Sequence, residues 1–204
     1  MPHVDFRSNP PLANPPLDPF VLLDASILLA GFTPVRLAGS RIDHRRYPAH
    51  ADARAFLTYA ANQALADGVI LVVTELAIEE CAHHITTGAI VRDIYDGVYP
   101  GVVPSDWNRL YKSQPGIVRR YTPVITRFIT AVRATPIVIL GPAELHDIRA
   151  SLPLLMVTNM ERYSLLAADA YHLAVAEAMG IGSVATLDRD WLRADAHFTV
   201  VINR

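Results

Sequence analysis

The chain has 204 residues, 51% of them hydrophobic, enough for one domain with a sizeable core and room for an insertion. Its formal net charge of -2 excludes a protein that holds nucleic acid through an overall basic surface, so any such contact has to be local or mediated by metal. The single cysteine, Cys81, excludes an intrachain disulfide and fits a reducing compartment.

The start, Met1-Pro2-His3-Val4-Asp5-Phe6, lacks the basic and apolar regions of a signal peptide. No apolar run approaches the roughly 20 residues that cross a bilayer. The expectation is a soluble, cytoplasmic protein without membrane contact. Residues 1–19 hold six of the fifteen prolines and read as an extended arm.

Phe20-Val21-Leu22-Leu23 is a short buried strand, followed by a helix from Ile27 with Asp24 or Ser26 at its N-cap. Residues 31–48 form a loop carrying the run Arg41-Ile42-Asp43-His44-Arg45-Arg46. Ala49–Asp67 is alanine-rich and periodic, a helix stopped by Gly68. Val69–Val73 is wholly apolar, as in a strand covered on both faces. Thr74 caps a further helix expected to reach about Thr87.

Residues 88–135 are punctuated by glycine and proline and read as an inserted helical region, with a helix over Ile117–Arg133. Pro136–Leu140 is a third strand and Pro142–Leu155 a helix. Ser164–Met179 is a helix closed by Gly180, Ser183–Leu187 a fourth strand, and Phe198–Ile202 a fifth after a turn holding Trp191. Strands alternating with helices give an α/β fold with a mainly parallel sheet.

Four acidic positions fall at or just beyond the strand ends: Asp24, Glu79/Glu80, Asp169 and Asp188. Parallel topology gathers such positions at one edge. Carboxylates gathered there raise one another's pKa, and a divalent cation relieves that repulsion. Hard oxygen donors suit Mg²⁺ or Mn²⁺. Each acid also has a plain structural role. Asp24 caps a helix, Asp169 opens one beside its buried stripe, and Asp188 and Asp190 cap a turn; an extended backbone would point those last two the same way. On the helix after the third strand, Glu80 borders the apolar stripe and is preferred over Glu79 and Glu75.

Leu22-Leu23-Asp24-Ala25-Ser26, Thr74 with Glu80, Ala167-Ala168-Asp169-Ala170-Tyr171-His172-Leu173-Ala174 and Ala185-Thr186-Leu187-Asp188-Arg189-Asp190-Trp191 resemble, in order, the four signature segments of PIN domains. The resemblance covers roughly residues 20–87 and 136–202. It implies a PIN-like three-layer α/β/α fold, with a central, mainly parallel five-stranded sheet and the inserted helical region. The domain would span 20–204 behind the 1–19 arm.

The resemblance further implies a metal-dependent ribonuclease hydrolysing RNA phosphodiesters, in many members the toxin of a toxin–antitoxin pair and frequently a homodimer. Asp24, Glu80, Asp169 and Asp188 match the metal-binding acids, Asp190 an auxiliary acid, and Ser26 and Thr186 flanking hydroxyls. The position three before the third acid, a small hydroxyl in many members, is Leu166 here. A catalytically silent PIN-like scaffold that binds protein or RNA is the alternative. A phosphatase of the haloacid-dehalogenase kind would need an acid where Ser26 stands.

Other features weigh less. Cys81, His83 and His84 lack the second Cys or His pair of a zinc finger and read as helix residues. His172 stands three after Asp169, where it would orient that carboxylate, touch a phosphate or simply border the core. Arg41, His44, Arg45 and Arg46, or Arg119 and Arg120, would grip RNA phosphates if they are more than a solvated face.

Overall fold

The structure is a computed structural model that describes residues 4–5, 17–33, 47–114, 116–194 and 199–202. Most of the proline-rich arm, and the loop with Arg41, His44, Arg45 and Arg46, lie outside the described residues.

The strands are β1 (Val4–Asp5), β2 (Phe20–Leu23), β3 (Ile70–Thr74), β4 (Ile137–Leu140), β5 (Ser183–Thr186) and β6 (Thr199–Ile202). The helices are α1 (Ala25–Phe32), α2 (Tyr47–Asp67), α3 (Glu75–Tyr95), α4 (Trp107–Ser113), α5 (Thr122–Arg133), α6 (Leu152–Tyr163) and α7 (Ala167–Ala178). The sheet order is β1-β6-β5-β2-β3-β4, and every pairing is parallel. Four strands, β5-β2-β3-β4, run on to the β4 edge, where Val138 is 45% exposed; beyond β5 lie the two outer strands β6 and β1. The two outer strands make six where five were expected, because the arm contributes β1 alongside β6.

Side-chain alternation along the central strands builds two cores. Val21, Leu23, Leu71, Val73 and Ala185 pack with residues of α1, α2, α3 and α5. Leu22, Val72 and Val184 turn to the other face and pack with α6 and α7. That is a three-layer α/β/α arrangement. A third, smaller cluster (Ala89, Ile90, Ile94, Leu110, Ile117 and Tyr121) lies within the inserted stretch.

Several element boundaries differ from the expected ones, among them the end of α6 at Tyr163 instead of Leu155. The helix expected at Pro142–Leu155 begins only at Leu152, after a run of turns. The helix expected over Ile117–Arg133 breaks at Tyr121 and restarts as α5. One rule explains both: Pro153 and Pro123 lack an N–H and clash with the preceding turn, so the helix restarts where each falls in the first turn. α3 runs past Thr87 to Tyr95, straight through Gly88. Burial of Ala89, Ile90 and Ile94 offsets the cost of about 1 kcal/mol for a mid-helix glycine. α7 starts three residues later than expected, because Ser164 takes a left-handed conformation (φ 54°, ψ 40°) that ends α6. Leu166, which opens the apolar series Leu166, Ala170, Leu173 and Ala174 at helical spacing, is therefore 75% exposed, and its neighbour Leu165 is buried instead.

No described helix is long and apolar enough to cross a membrane.

Candidate active site

Three helix N-termini meet the carboxyl edge of the sheet, and each brings an acid. β2 ends at Leu23 and Asp24 caps α1; its backbone N–H still bonds Ala185 O at 3.0 Å, so the residue is fixed to β5. The Asp24 side chain is 5% exposed. All its donors converge on Oδ2: Ser26 Oγ at 2.5 Å, Thr186 Oγ1 at 2.8 Å and Ser26 N–H at 3.3 Å. The two hydroxyls are themselves held from the β5 side. Leu187 N–H donates to Ser26 Oγ at 2.9 Å, and Asp188 N–H to Thr186 Oγ1 at 2.9 Å. Ser26 and Thr186 thus flank Asp24 as expected, and they tie it to the segment bearing Asp188.

Thr74 ends β3 and caps α3, accepting from Ala77 N–H at 3.1 Å. Its Oγ1 also lies 2.8 Å from Nδ1 of His172, whose Nε2 lies 3.0 Å from Glu80 Oε2. Because Thr74 Oγ1 already accepts from Ala77, its own hydrogen is free for Nδ1. On that assignment the His172 ring carries its hydrogen on Nε2 and donates it to Glu80. His172 is 1% exposed. It orients Glu80, not Asp169 as expected, and it lies within the core instead of at its border. Leu165 and Ala176, which share a helix stripe with His172, are buried with it. Glu75 and Glu79 instead line a separate cleft with Tyr171 and Arg149, which leaves Glu80 as the glutamate nearest the other acids.

Asp169 sits in the first turn of α7, whose N-cap position is Leu166 and carries no side-chain cap. Among the described residues it accepts no hydrogen bond. Its carboxyl is pushed up to about 6, first by burial, then by the charges of Asp24, Asp188 and Glu80, against the lowering effect of His172. Distances of electrostatic influence therefore join all four acids. Cys81, buried behind them with Sγ 3.5 Å from Ala25 O, has its thiol pushed up by burial and by Asp24 and Glu80.

Of the two readings given for Asp188 and Asp190, the structure has the turn. The chain does not stay extended after β5. Asp188 Oδ1 accepts from Asp190 N–H at 2.9 Å, starting a 3-10 turn, and Asp190 pairs with Arg193 at 2.9 Å. An Asp side chain that bonds the backbone two residues on makes a turn, not a strand. Asp190 is thus directed to Arg193 rather than alongside Asp188.

The donors fit a hard cation in their chemistry. Asp24 Oδ1, Glu80 Oε1, Asp188 Oδ2 and both Asp169 oxygens receive no hydrogen bond from the described residues. As the side chains stand, no three His, Cys, Asp or Glu among the described residues are drawn close enough to hold a metal ion. His83 and His84 are exposed and Cys81 buried, so the zinc alternative finds no cluster among the described residues either.

Compared with known proteins, the sequence matches no family model, and no curated protein matches it significantly.

Proposed function

We propose that this chain is a PIN-like endoribonuclease that hydrolyses RNA phosphodiesters with Mg²⁺ or Mn²⁺. One observation carries the reading. Asp169 is raised to about 6 first by its own burial and then by the nearby carboxylates of Asp24, Asp188 and Glu80, an arrangement that costs stability unless a cation joins them. Asp24 and Asp188 would bind the ion directly, each through its unclaimed oxygen. Glu80 and Asp169 would complete the set, with His172 holding Glu80 in place. A bound ion supplies a lowered pKa for the attacking water and charge neutralisation at the scissile phosphate. No side-chain nucleophile is needed. Ser26 and Thr186 donate their hydroxyls to Asp24, which fixes that carboxylate in place. Toxin activity with an antitoxin partner, a homodimer and a cytoplasmic site belong to the same proposal and rest on the PIN resemblance.

The test is cleavage of a fluorogenic RNA in Mg²⁺, Mn²⁺ or EDTA. Cleavage should need the metal. Asp24→Asn and Asp169→Asn should each lower it by about 100-fold or more, since even residues that only orient a metal ligand cost about 10–100-fold. Either variant cutting at the wild-type rate would falsify the assignment. The silent-scaffold reading has one observation in its favour: Glu80 is already committed to His172 at 3.0 Å. It wins if RNA is bound and never cut.

A further inference from the structure

The inserted stretch carries a charge unlike the rest of the chain. Residues 88–135 hold seven Arg and Lys against three acids, Asp93, Asp96 and Asp106, a balance of +4 in a protein whose total is -2. The remainder is therefore -6, with an acid-lined site at its centre. An RNA backbone approaching that site alone is repelled, so attraction has to come from elsewhere.

The cations are presented, not neutralised. Arg109, Lys112 and Arg119 are exposed and make no ion pair among the described residues; Arg120 is the one drawn in, to Asp93 at 2.9 Å. Lys112 and Arg119 line an open cleft of about 450 Å³ together with Tyr111 and Gln114. Tyr111 is 43% exposed, a large aromatic ring left on the surface beside two cations.

A row of rings joins this cleft to the acids. On α3, His83 and His84 follow Glu80 by three and four residues. They lie on the same helix face, about 6 Å further along its axis. His83 packs edge-on against Trp107, centroids 6.2 Å apart, and against His84 at 6.0 Å. Trp107 opens α4, and Tyr111 follows it by four residues on the same face. By helix spacing the order from Glu80 is His84, His83, Trp107, Tyr111, then Lys112 and Arg119, with Trp107 half-buried against the Ile90 and Leu110 cluster.

We infer that this row is a track for single-stranded RNA, on which bases stack while Lys112 and Arg119 hold phosphates, and which feeds the strand toward Glu80 and Asp24. Flat rings beside flexible cations fit an unpaired strand, because every base offers a face to stack. A duplex hides those faces. The inference deepens the nuclease reading by naming the surface that holds its substrate, and rests on that reading only for the identity of the polyanion.

Binding of a fluorescein-labelled 20-nucleotide single-stranded RNA, followed by anisotropy in EDTA, tests the track without cleavage. The Lys112→Gln/Arg119→Gln double variant should bind about tenfold more weakly. Its slope of log affinity against log salt should be shallower by about 1.4, at about 0.7 for each phosphate no longer neutralised. Tyr111→Ala should lose about tenfold for the single strand and nothing for a duplex of equal length. Arg162→Gln, on α6, should change neither. All variants should melt as the wild type does, since the substituted groups are exposed. The inference is overturned if the double variant keeps wild-type affinity and salt slope, if duplex binds as tightly as single strand, or if an acidic polypeptide of equal charge displaces the RNA. A chain that binds through these residues but never cuts ends the nuclease reading and leaves the track standing; one that cuts but binds normally without Lys112 and Arg119 does the reverse.

Discussion

The site has a locked side and a loose side. On the locked side, Asp24 caps α1, Thr74 caps α3, and hydroxyls from Ser26 and Thr186 converge on one Asp24 oxygen. On the loose side, α7 begins at an uncapped Leu166, and Asp169 has no hydrogen-bond partner among the described residues. Both acids are carboxylates near a helix N-terminus. Hydrogen bonding holds one in place, while burial and neighbouring charges raise the pKa of the other. The difference teaches that fixed donors can order an acid locally, whereas Asp169 is left dependent on a ligand that also engages its neighbours.

The largest effect should come from breaking the locked side. Asp24→Ala removes the α1 cap, worth about 1 kcal/mol, and takes the shared acceptor from half-buried Ser26 and buried Thr186, whose hydroxyls, 3.3 Å apart, can recover only one bond between them, a further cost of about 1–2 kcal/mol in all. Relief of repulsion on Asp169 returns part of this, so a net loss of about 2 kcal/mol is expected in urea unfolding. Asp24→Asn should cost well under about 1 kcal/mol, since asparagine caps as well as aspartate. If the alanine and asparagine variants prove equally stable, the Oδ2 network is not what holds this side together.

The loose side should respond to pH with the opposite sign. The folded value of Asp169, about 6, lies above the ordinary 3.8. Between these values the folded chain binds the proton more tightly, so this group's contribution to stability falls as pH rises from about 4 to about 6 and stays low above that. Asp169→Asn removes the penalty. In metal-free buffer it should exceed the wild type by on the order of 1 kcal/mol at pH 7, a figure discounted for partial solvent screening, and by nothing near pH 3.5. Saturating Mn²⁺ should raise the melting temperature of the wild type at pH 7 and leave Asp169→Asn nearly unmoved. An equal shift in both would remove Asp169 from the ligand set.

The locked side was mostly legible in the sequence, because its signals are local. Asp24 follows four apolar residues directly, Ser26 stands two further on, and Thr74 closes a β-branched run. The pairing of His172 with Glu80 joins residues 92 apart, and nothing in either segment names the other. At Asp188 and Asp190 the sequence left an extended backbone and a turn both open, and only the folded chain shows the Asp188 carboxylate making the turn. The helix starts at Leu152 and Thr122 were hidden by apolar periodicity, which continues through Pro153 and Pro123 while the hydrogen-bond ladder does not. The start of α7 depended on Ser164 adopting a left-handed backbone, which its side chain gives no reason to expect.

That late start offers the smallest and most specific test of the comparison. Leu166 has the extended backbone of an N-cap (φ -70°, ψ 160°), yet its side chain can accept nothing and lies 75% in solvent. A serine there would accept from the backbone N–H of Ala168 or Asp169 and leave no cavity behind. Leu166→Ser should therefore stabilise the chain by about 0.5–1 kcal/mol, read as a higher urea midpoint at unchanged slope. With the N–H groups of the first turn satisfied by the hydroxyl, Asp169 gains no donor of its own, so the pH dependence of stability should persist. If the substitution both stabilises the chain and abolishes that pH dependence, the looseness lay in the missing cap and not in the crowding of charges. If it destabilises, exposed Leu166 makes contacts that matter more than the cap.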